Sequence, residues 1–306
     1  MLRAVKSFLK SLGAKLFHAG QYLGWDLLPR HFYSEVLDIR KLNRTTNWRL
    51  PYTLHGIRGA DTTEQLAMLG RWIPAELSSR FASLQVHRTA CEANGEAGYG
   101  PVEAECLWAY IQANKPQRVI QVGCGVSTAF MLAAAADCRN AIAITCIEPY
   151  PTAYLQSLAR DNRITLIAKP VEDVGTGLLT TLEAGDLFFV DSTHALGPAG
   201  EVSRLVLEWL PRLPAEVGAH FHDIYFPYDY TANVLDGLFF PHESVLLQAY
   251  LANNACCRIE VALSMLHHAE TAGLAQHFPA YKPAPFDHGV QKAPGHFPSA
   301  IYLRTS

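Results

Sequence analysis

No Cys-x-x-Cys spacing occurs among the seven cysteines of this chain, although two of them, Cys256 and Cys257, are adjacent. A zinc ribbon and a disulfide framework are excluded by that absence, and reduced thiols in a cytoplasm are the expectation. Net charge is scarce too: the formal value is -3, so no large basic field advertises nucleic acid or an anionic membrane. No apolar run is long enough to span a bilayer. No Gly-Lys-Ser/Thr ending follows the glycines at 123 and 125, which removes the P-loop nucleotidases. Internal repeats and low-complexity tracts are missing as well. What remains is 306 residues, 49% hydrophobic and only 17% charged, ample for one large α/β domain with an appendage or for two small domains.

Leu2–Phe17 reads as a basic amphipathic helix, with Leu2, Val5, Phe8, Leu9, Leu12 and Leu16 set against Arg3, Lys6, Lys10 and Lys15. Lysines interrupt it too often for a signal-peptide core. It is expected to pack on its own domain or on a second copy, making a homodimer; a peripheral membrane contact is the other reading.

Up to about Ala113 no strand–helix rhythm appears. A proline-bearing stretch runs through Trp25–Phe32, a helix is expected over Thr62–Phe81, and a Gly-rich break at Asn94–Pro101 precedes another helix over Val102–Asn114. Residues 1–113 are therefore expected to form a mainly helical cap, with Trp25 and Trp48 in its core. From residue 114 to 306 the pattern changes to a second domain. Strands are expected at Arg118–Gly123, Ile142–Glu148, Arg163–Ala168, Asp186–Asp191 and Glu216–Asp223, separated by helical stretches. Two more follow a helix at Glu243–Ala252, at Arg258–Leu263 and Ala300–Arg304. The loop Phe278–Pro298 is too polar for core, and His267, His268 and His288 read as surface residues.

The stretch Arg118-Val-Ile-Gln-Val-Gly-Cys-Gly-Val-Ser-Thr128 carries the most information. A short apolar strand meets two glycines one residue apart and then an Ala-rich helix over Thr128–Ala136. Gly123 and Gly125 allow a sharp turn and close approach of a nucleotide-like ligand to the peptide planes around Gln121, Cys124 and Ser127. A dinucleotide fingerprint would place a third glycine at position 128, where Thr128 stands, which counts against an NAD-linked oxidoreductase. Glu148 lies about 20 residues on, at the end of the second strand, where an acid accepts from ribose hydroxyls. Glu172 and Asp173 follow the third strand, in reach of an adenine amine.

This series, strand–Gly-x-Gly-x-Ser, then Glu148, then Glu172-Asp173, resembles the class I S-adenosylmethionine-dependent methyltransferases. Phe188-Phe-Val-Asp-Ser-Thr-His194 and His220-Phe-His-Asp-Ile-Tyr-Phe-Pro-Tyr-Asp-Tyr230 are similar to motifs of a bacterial small-molecule subgroup, which includes macrolide-sugar O-methyltransferases and cephalosporin-hydroxylase-like proteins. Leu28-Pro-Arg-His-Phe-Tyr-Ser34 and Ser299-Ala-Ile-Tyr-Leu-Arg304 are similar to further segments of such chains. The resemblance implies a Rossmann-like α/β fold: a seven-stranded, mostly parallel sheet with helices on both faces and an antiparallel last strand. It implies S-adenosylmethionine as cofactor, a small-molecule hydroxyl (of a sugar or secondary metabolite) as acceptor, and Ser127 near the cofactor's carboxylate. A non-catalytic nucleotide-binding protein is the remaining alternative.

Asp191 ends the fourth strand and Asp223 the fifth, so a parallel sheet turns both toward one crevice, where oxygen-rich groups suit a divalent cation. In the resembling enzymes magnesium sits there; carried over, Asp191, His222 and Asp223 are its ligands. His222 stands where those enzymes carry an acid, which favours a softer cation such as manganese, or a site that has lost its metal. His194, three residues past Asp191, is expected to take the hydroxyl proton, as a histidine at this motif position does in the resembling sugar methyltransferases; a helix-capping role is the alternative. Tyr225, Tyr228 and Tyr230 either line an acceptor pocket or pack on the cap.

Overall fold

Short apolar runs bounded by turns become central strands when both of their faces can be buried, and the computed structural model shows this for the middle of the chain. It describes residues 2–32, 34, 36–237 and 239–306, with side chains from residue 11 onward. In chain order the strands are β1 (Arg118–Val122), β2 (Ala143–Ile147), β3 (Thr165–Ile167), β4 (Leu187–Val190), β5 (Gly218–Phe221), β6 (Cys257–Ala262), β7 (Phe286–Asp287), β8 (Val290–Gln291) and β9 (Ile301–Thr305). Seven form one sheet in the order β3-β2-β1-β4-β5-β9-β6, and β7-β8 is a separate small ribbon. Strands β1 to β5 pair in parallel, whereas β9 runs antiparallel to both β5 and β6. The last strand is thus the antiparallel one, as expected.

Period-2 alternation divides the side chains of each strand between two cores. Val119 and Phe189 face one core; Ile120, Val122, Phe188 and Val190 face the other. The helices are α1 (Leu2–Tyr22), α2 (Ile39–Leu42), α3 (Thr62–Trp72), α4 (Ala75–Leu84), α5 (Val86–Asn94), α6 (Pro101–Asn114), α7 (Val126–Asp137), α8 (Ala153–Arg160), α9 (Glu201–Arg204, prolonged by a wider turn over Leu205–Trp209), α10 (Glu243–Leu251), α11 (Leu263–Ala269) and α12 (Thr271–His277). Helix α6 is apolar nearly all round, starts on Pro101 at its first turn, and is buried from Val102 to Ile111 apart from Glu105.

By internal packing the chain divides into Met1–Arg44 and Thr45–Ser306. The sequence placed a boundary between residues 113 and 114. Leu69, Phe81 and the face of α6 instead share a core with α7 and the sheet, because α6 has no polar face to turn to solvent.

Other expectations are corrected. The helix expected over Thr62–Phe81 is two, since Pro74 cannot continue the first and caps the second. Trp25 is not core but 70% exposed, whereas Trp48 is half-buried against Tyr230, with ring centroids 4.9 Å apart. The segment 278–298 is not wholly excluded from the interior: Phe278, Tyr281, Ala284 and Val290 are buried around the β7-β8 ribbon. His267 is fully buried against Tyr281, and His268 packs among Tyr228, Phe286 and Phe297; only His288 lies at the surface. In the motif at residues 28–34, Tyr33 lies outside the described residues.

Candidate functional site

Strand order reverses between β1 and β4, so their carboxyl ends open the crevice where open α/β sheets take ligands. Gly123 ends β1 with φ +76°, and a Cβ there would come within 1.8 Å of the Asp191 carbonyl oxygen. The two strand ends therefore touch through a residue that only glycine can be. Helix α7 starts directly after Gly125, with its first amides at this crevice.

Glu148 lies across the turn. Its carboxylate accepts from the Cys124 N–H at 3.1 Å and the Tyr150 N–H at 2.9 Å, so the acid from β2 is fixed at the glycine turn of β1. Beneath the turn runs a buried network. Gln121 Nε2 donates to the Gly123 carbonyl (3.0 Å) and to Ser127 Oγ (2.8 Å), while Thr128 Oγ1 donates to Gln121 Oε1 (2.9 Å) and accepts from the Gly125 N–H (3.2 Å). Thr128 thus braces the turn where a dinucleotide fold would need a glycine. Gln121 and Ser127, expected at the cofactor, are both engaged inside this network and almost wholly buried. Glu172 and Asp173 form a short 3-10 turn after β3, the first half-buried near Glu201, whose carboxyl is pushed up by burial and to a lesser degree by Glu172, the second exposed.

The strand-end acids and histidines come together. Asp191 Oδ1 lies 3.2 Å from His222 Nδ1 and 3.5 Å from His194 Nε2; Asp223 lies 3.6 Å from His194 Nε2 and 3.7 Å from His222 Nδ1. Asp191, His194 and His222 each offer a ligand atom within 4.8 Å of the others. His194, expected as a base, therefore sits among the expected ligands rather than apart from them. Its Nδ1 is 2.6 Å from Glu243 Oε2 of α10, a carboxylate with no solvent exposure, so it does not cap a helix. Asp223 also accepts from Tyr225 Oη (3.0 Å) and Ser299 Oγ (2.9 Å). Tyr228 and Tyr230 pack away from this cluster, against His268 and Trp48.

Burial works against charge here, and the mutual ion pairing wins. Desolvation pushes the Asp191 carboxyl up, but His222 and His194 hold it well below the usual range. Burial would lower both imidazoles, yet their acidic neighbours raise His194 to about 10 and His222 to about 9. Behind them, burial pushes His220 down to about 3, consistent with a neutral ring that pairs with Tyr99 Oη at 2.7 Å. Tyr99 also stacks on His222, with centroids 4.7 Å apart. Sequence reasoning missed Glu243, Tyr99, Ser299 and the buried Glu103, whose carboxylate accepts from the Ser299 N–H at 3.0 Å. Glu243 offered no usable signal: an acid in the first turn of a helix reads as a dipole complement.

Residues 120–224, which hold the end of β1, all of β4 and β5, and both strand-end acids, match the family model of a methyltransferase domain. This chain carries a methyltransferase domain. The seven-stranded sheet, to which β6 and β9 contribute from beyond the matched residues, has the Rossmann-like fold of class I, S-adenosylmethionine-dependent methyltransferases, and the NAD-linked alternative is set aside. No curated protein matches the sequence significantly. Among solved structures, a Podospora anserina methyltransferase bound to S-adenosylhomocysteine is 16% identical, the alignment covering 91% of this chain and 98% of that one at a TM-score of 0.40. A Klebsiella pneumoniae structure provisionally assigned as an O-methyltransferase is 14% identical over 71% and 88% of the two chains, at 0.41. The plantazolicin methyltransferase BamL is 12% identical over 80% and 98%, at 0.40. Likeness this loose transfers no residue roles.

Proposed function

We propose that the methyltransferase domain moves the methyl group of S-adenosylmethionine to a hydroxyl of a small molecule such as a sugar or secondary metabolite. The observation that carries this reading is the Glu148 carboxylate bound to the Cys124 N–H inside the glycine turn, one strand away from the Asp191–His194–His222–Asp223 cluster. Cofactor grip and proton handling thereby meet at one crevice. The cofactor brings an electrophilic methyl carbon, so the protein needs no nucleophile of its own. Glu148 accepts from the ribose hydroxyls, while the peptide planes of Gly123–Gly125 leave room for the methionine portion. Glu172 or Asp173 accepts from the adenine amine. His194 Nε2 takes the hydroxyl proton as the carbon–oxygen bond forms and the carbon–sulfur bond breaks, and Glu243 on Nδ1 steadies the resulting imidazolium. Residues 45–113 shape the acceptor pocket.

Asp191, His194 and His222 each offer a ligand atom within 4.8 Å of the others, with Asp223 beside them, and such a mix of imidazole and carboxylate donors fits a borderline divalent cation such as manganese better than magnesium. Asp191, His222 and Asp223 would hold that cation, whose Lewis acidity would lower the pKa of an acceptor hydroxyl. With these carboxylates unengaged, His194 is raised to about 10 and stays protonated at neutral pH. A base role therefore requires their charge to be neutralised.

Calorimetry with S-adenosylhomocysteine tests the cofactor half. Wild type should bind it, Glu148→Ala should bind about 10- to 100-fold more weakly, and His194→Ala should bind it unchanged while losing turnover. Equal affinity in Glu148→Ala removes the ribose assignment.

A further inference from the structure

The formal charge of -3 conceals a segregation. Residues 1–44 hold eight Lys/Arg against three Asp/Glu, a balance of +5, whereas the remaining 17 Lys/Arg against 25 Asp/Glu give -8. No acid at all precedes Asp26. The same segment carries unburied apolar surface. From Ser11 to Tyr22 every residue except Gly20 is at least partly exposed, Leu12 and Leu16 by 44% and 54%. Just beyond α1, Tyr22, Leu23 and Trp25 are 93%, 74% and 70% exposed. An amphipathic helix with lysines between its leucines, no acid, and aromatic residues at its end has the chemistry of a segment lying in a lipid headgroup layer. No helix among the described residues is long and apolar enough to cross a membrane, so the contact is peripheral.

We propose that residues 1–25 attach this protein to the surface of an anionic membrane. The alternative occupant is a second copy of the chain, whose acidic residues 45–306 would also attract the basic segment. Two observations favour lipid. Tyr22 and Trp25, 93% and 70% exposed, and Phe32, 91% exposed, set aromatic rings at and just beyond the end of α1, the residue type that settles at a membrane–water interface. Protein interfaces are also depleted in lysine, whereas α1 carries Lys6, Lys10 and Lys15 and no acid.

Co-sedimentation of the full chain with vesicles of phosphatidylglycerol and phosphatidylcholine in equal parts tests this. Binding about tenfold above that to phosphatidylcholine alone is expected, falling steeply as salt is raised. The double variant Leu12→Glu/Leu16→Glu should abolish it without moving the thermal melt followed by circular dichroism. Equal binding to both vesicles, no binding, or binding that survives the variant overturns the proposal. So does a concentration-dependent dimer in sedimentation velocity that the variant dissolves while vesicles capture no protein, which would give the surface to a second copy.

Discussion

At the scale of single residues, the site depends on positions where chemistry leaves little choice. A methyl group on Gly123 meets the Asp191 carbonyl at 1.8 Å and must also adopt φ +76°, so either β4 retreats or the turn opens. Gly123→Ala should cost about 2–4 kcal/mol in urea unfolding and weaken S-adenosylhomocysteine binding with it; a wild-type midpoint would mean that the strand ends are not in contact. Glu243 is a different case, since it touches the cluster only through His194 Nδ1. Removing it leaves the Nδ1 side of the imidazole unheld, with Asp191 and Asp223 still beside Nε2. On any acceptor that supports turnover, Glu243→Gln should lower kcat about tenfold and Glu243→Ala about a hundredfold, with affinity for S-adenosylhomocysteine unaltered. Full activity in the Ala variant would show that His194 is held by something else.

At the scale of elements, helix α11 shows how packing sets acid sensitivity. Burial lowers His268 to about 3, and both its ring nitrogens are buried without a hydrogen-bond partner among the described residues. The folded state therefore holds the neutral ring, while the unfolded chain accepts a proton near the ordinary pKa of ~6.5. The folded pKa lies below the unfolded one, so this histidine costs nothing in proton linkage above pH ~6.5 and increasingly destabilises the fold as pH falls from there toward 3. His268→Phe, in a site already lined by Tyr228, Phe286 and Phe297, should stabilise by about 1 kcal/mol at pH 8 and by more at pH 5, read as melting temperature against pH. A shift equal at both pH values would place the ring in contact with water.

The same element shows where the sequence was readable. The strands of the sheet were visible as apolar runs ending in Gly or Asp because parallel strands are buried on both faces and need no partner to be recognised. Gly123, Glu148, Asp191 and Asp223 were legible for a related reason: each ends a strand, and strand ends share one crevice. His267 was not, since its burial depends on Tyr281, fourteen residues on, and a pair of adjacent histidines gives no hint of that. Glu243 is brought to His194 by the return of α10 after a long irregular stretch, which no local pattern encodes. Apolar spacing continues across Pro74 from Leu69 to Leu77, which hides the break the proline makes.

For the whole molecule, the question is which part of the chain the chemistry needs. Every residue assigned above to cofactor, cation or proton transfer lies in Thr45–Ser306, which packs as its own unit with the complete sheet. The preceding residues carry instead a net basic charge and much of the exposed apolar surface. Arg40 and Arg44 lie exposed near the junction of the two units, so brief trypsin treatment should cut there before it enters the sheet. The fragment that begins at Thr45 should keep S-adenosylhomocysteine affinity within about twofold of the intact chain, because no ligand-facing group has been removed. If cleavage instead abolishes binding while the far-ultraviolet circular dichroism of the sheet persists, residues before Thr45 complete the pocket. The division of labour between a membrane-seeking arm and a catalytic unit would then have to be abandoned in favour of one site built from both.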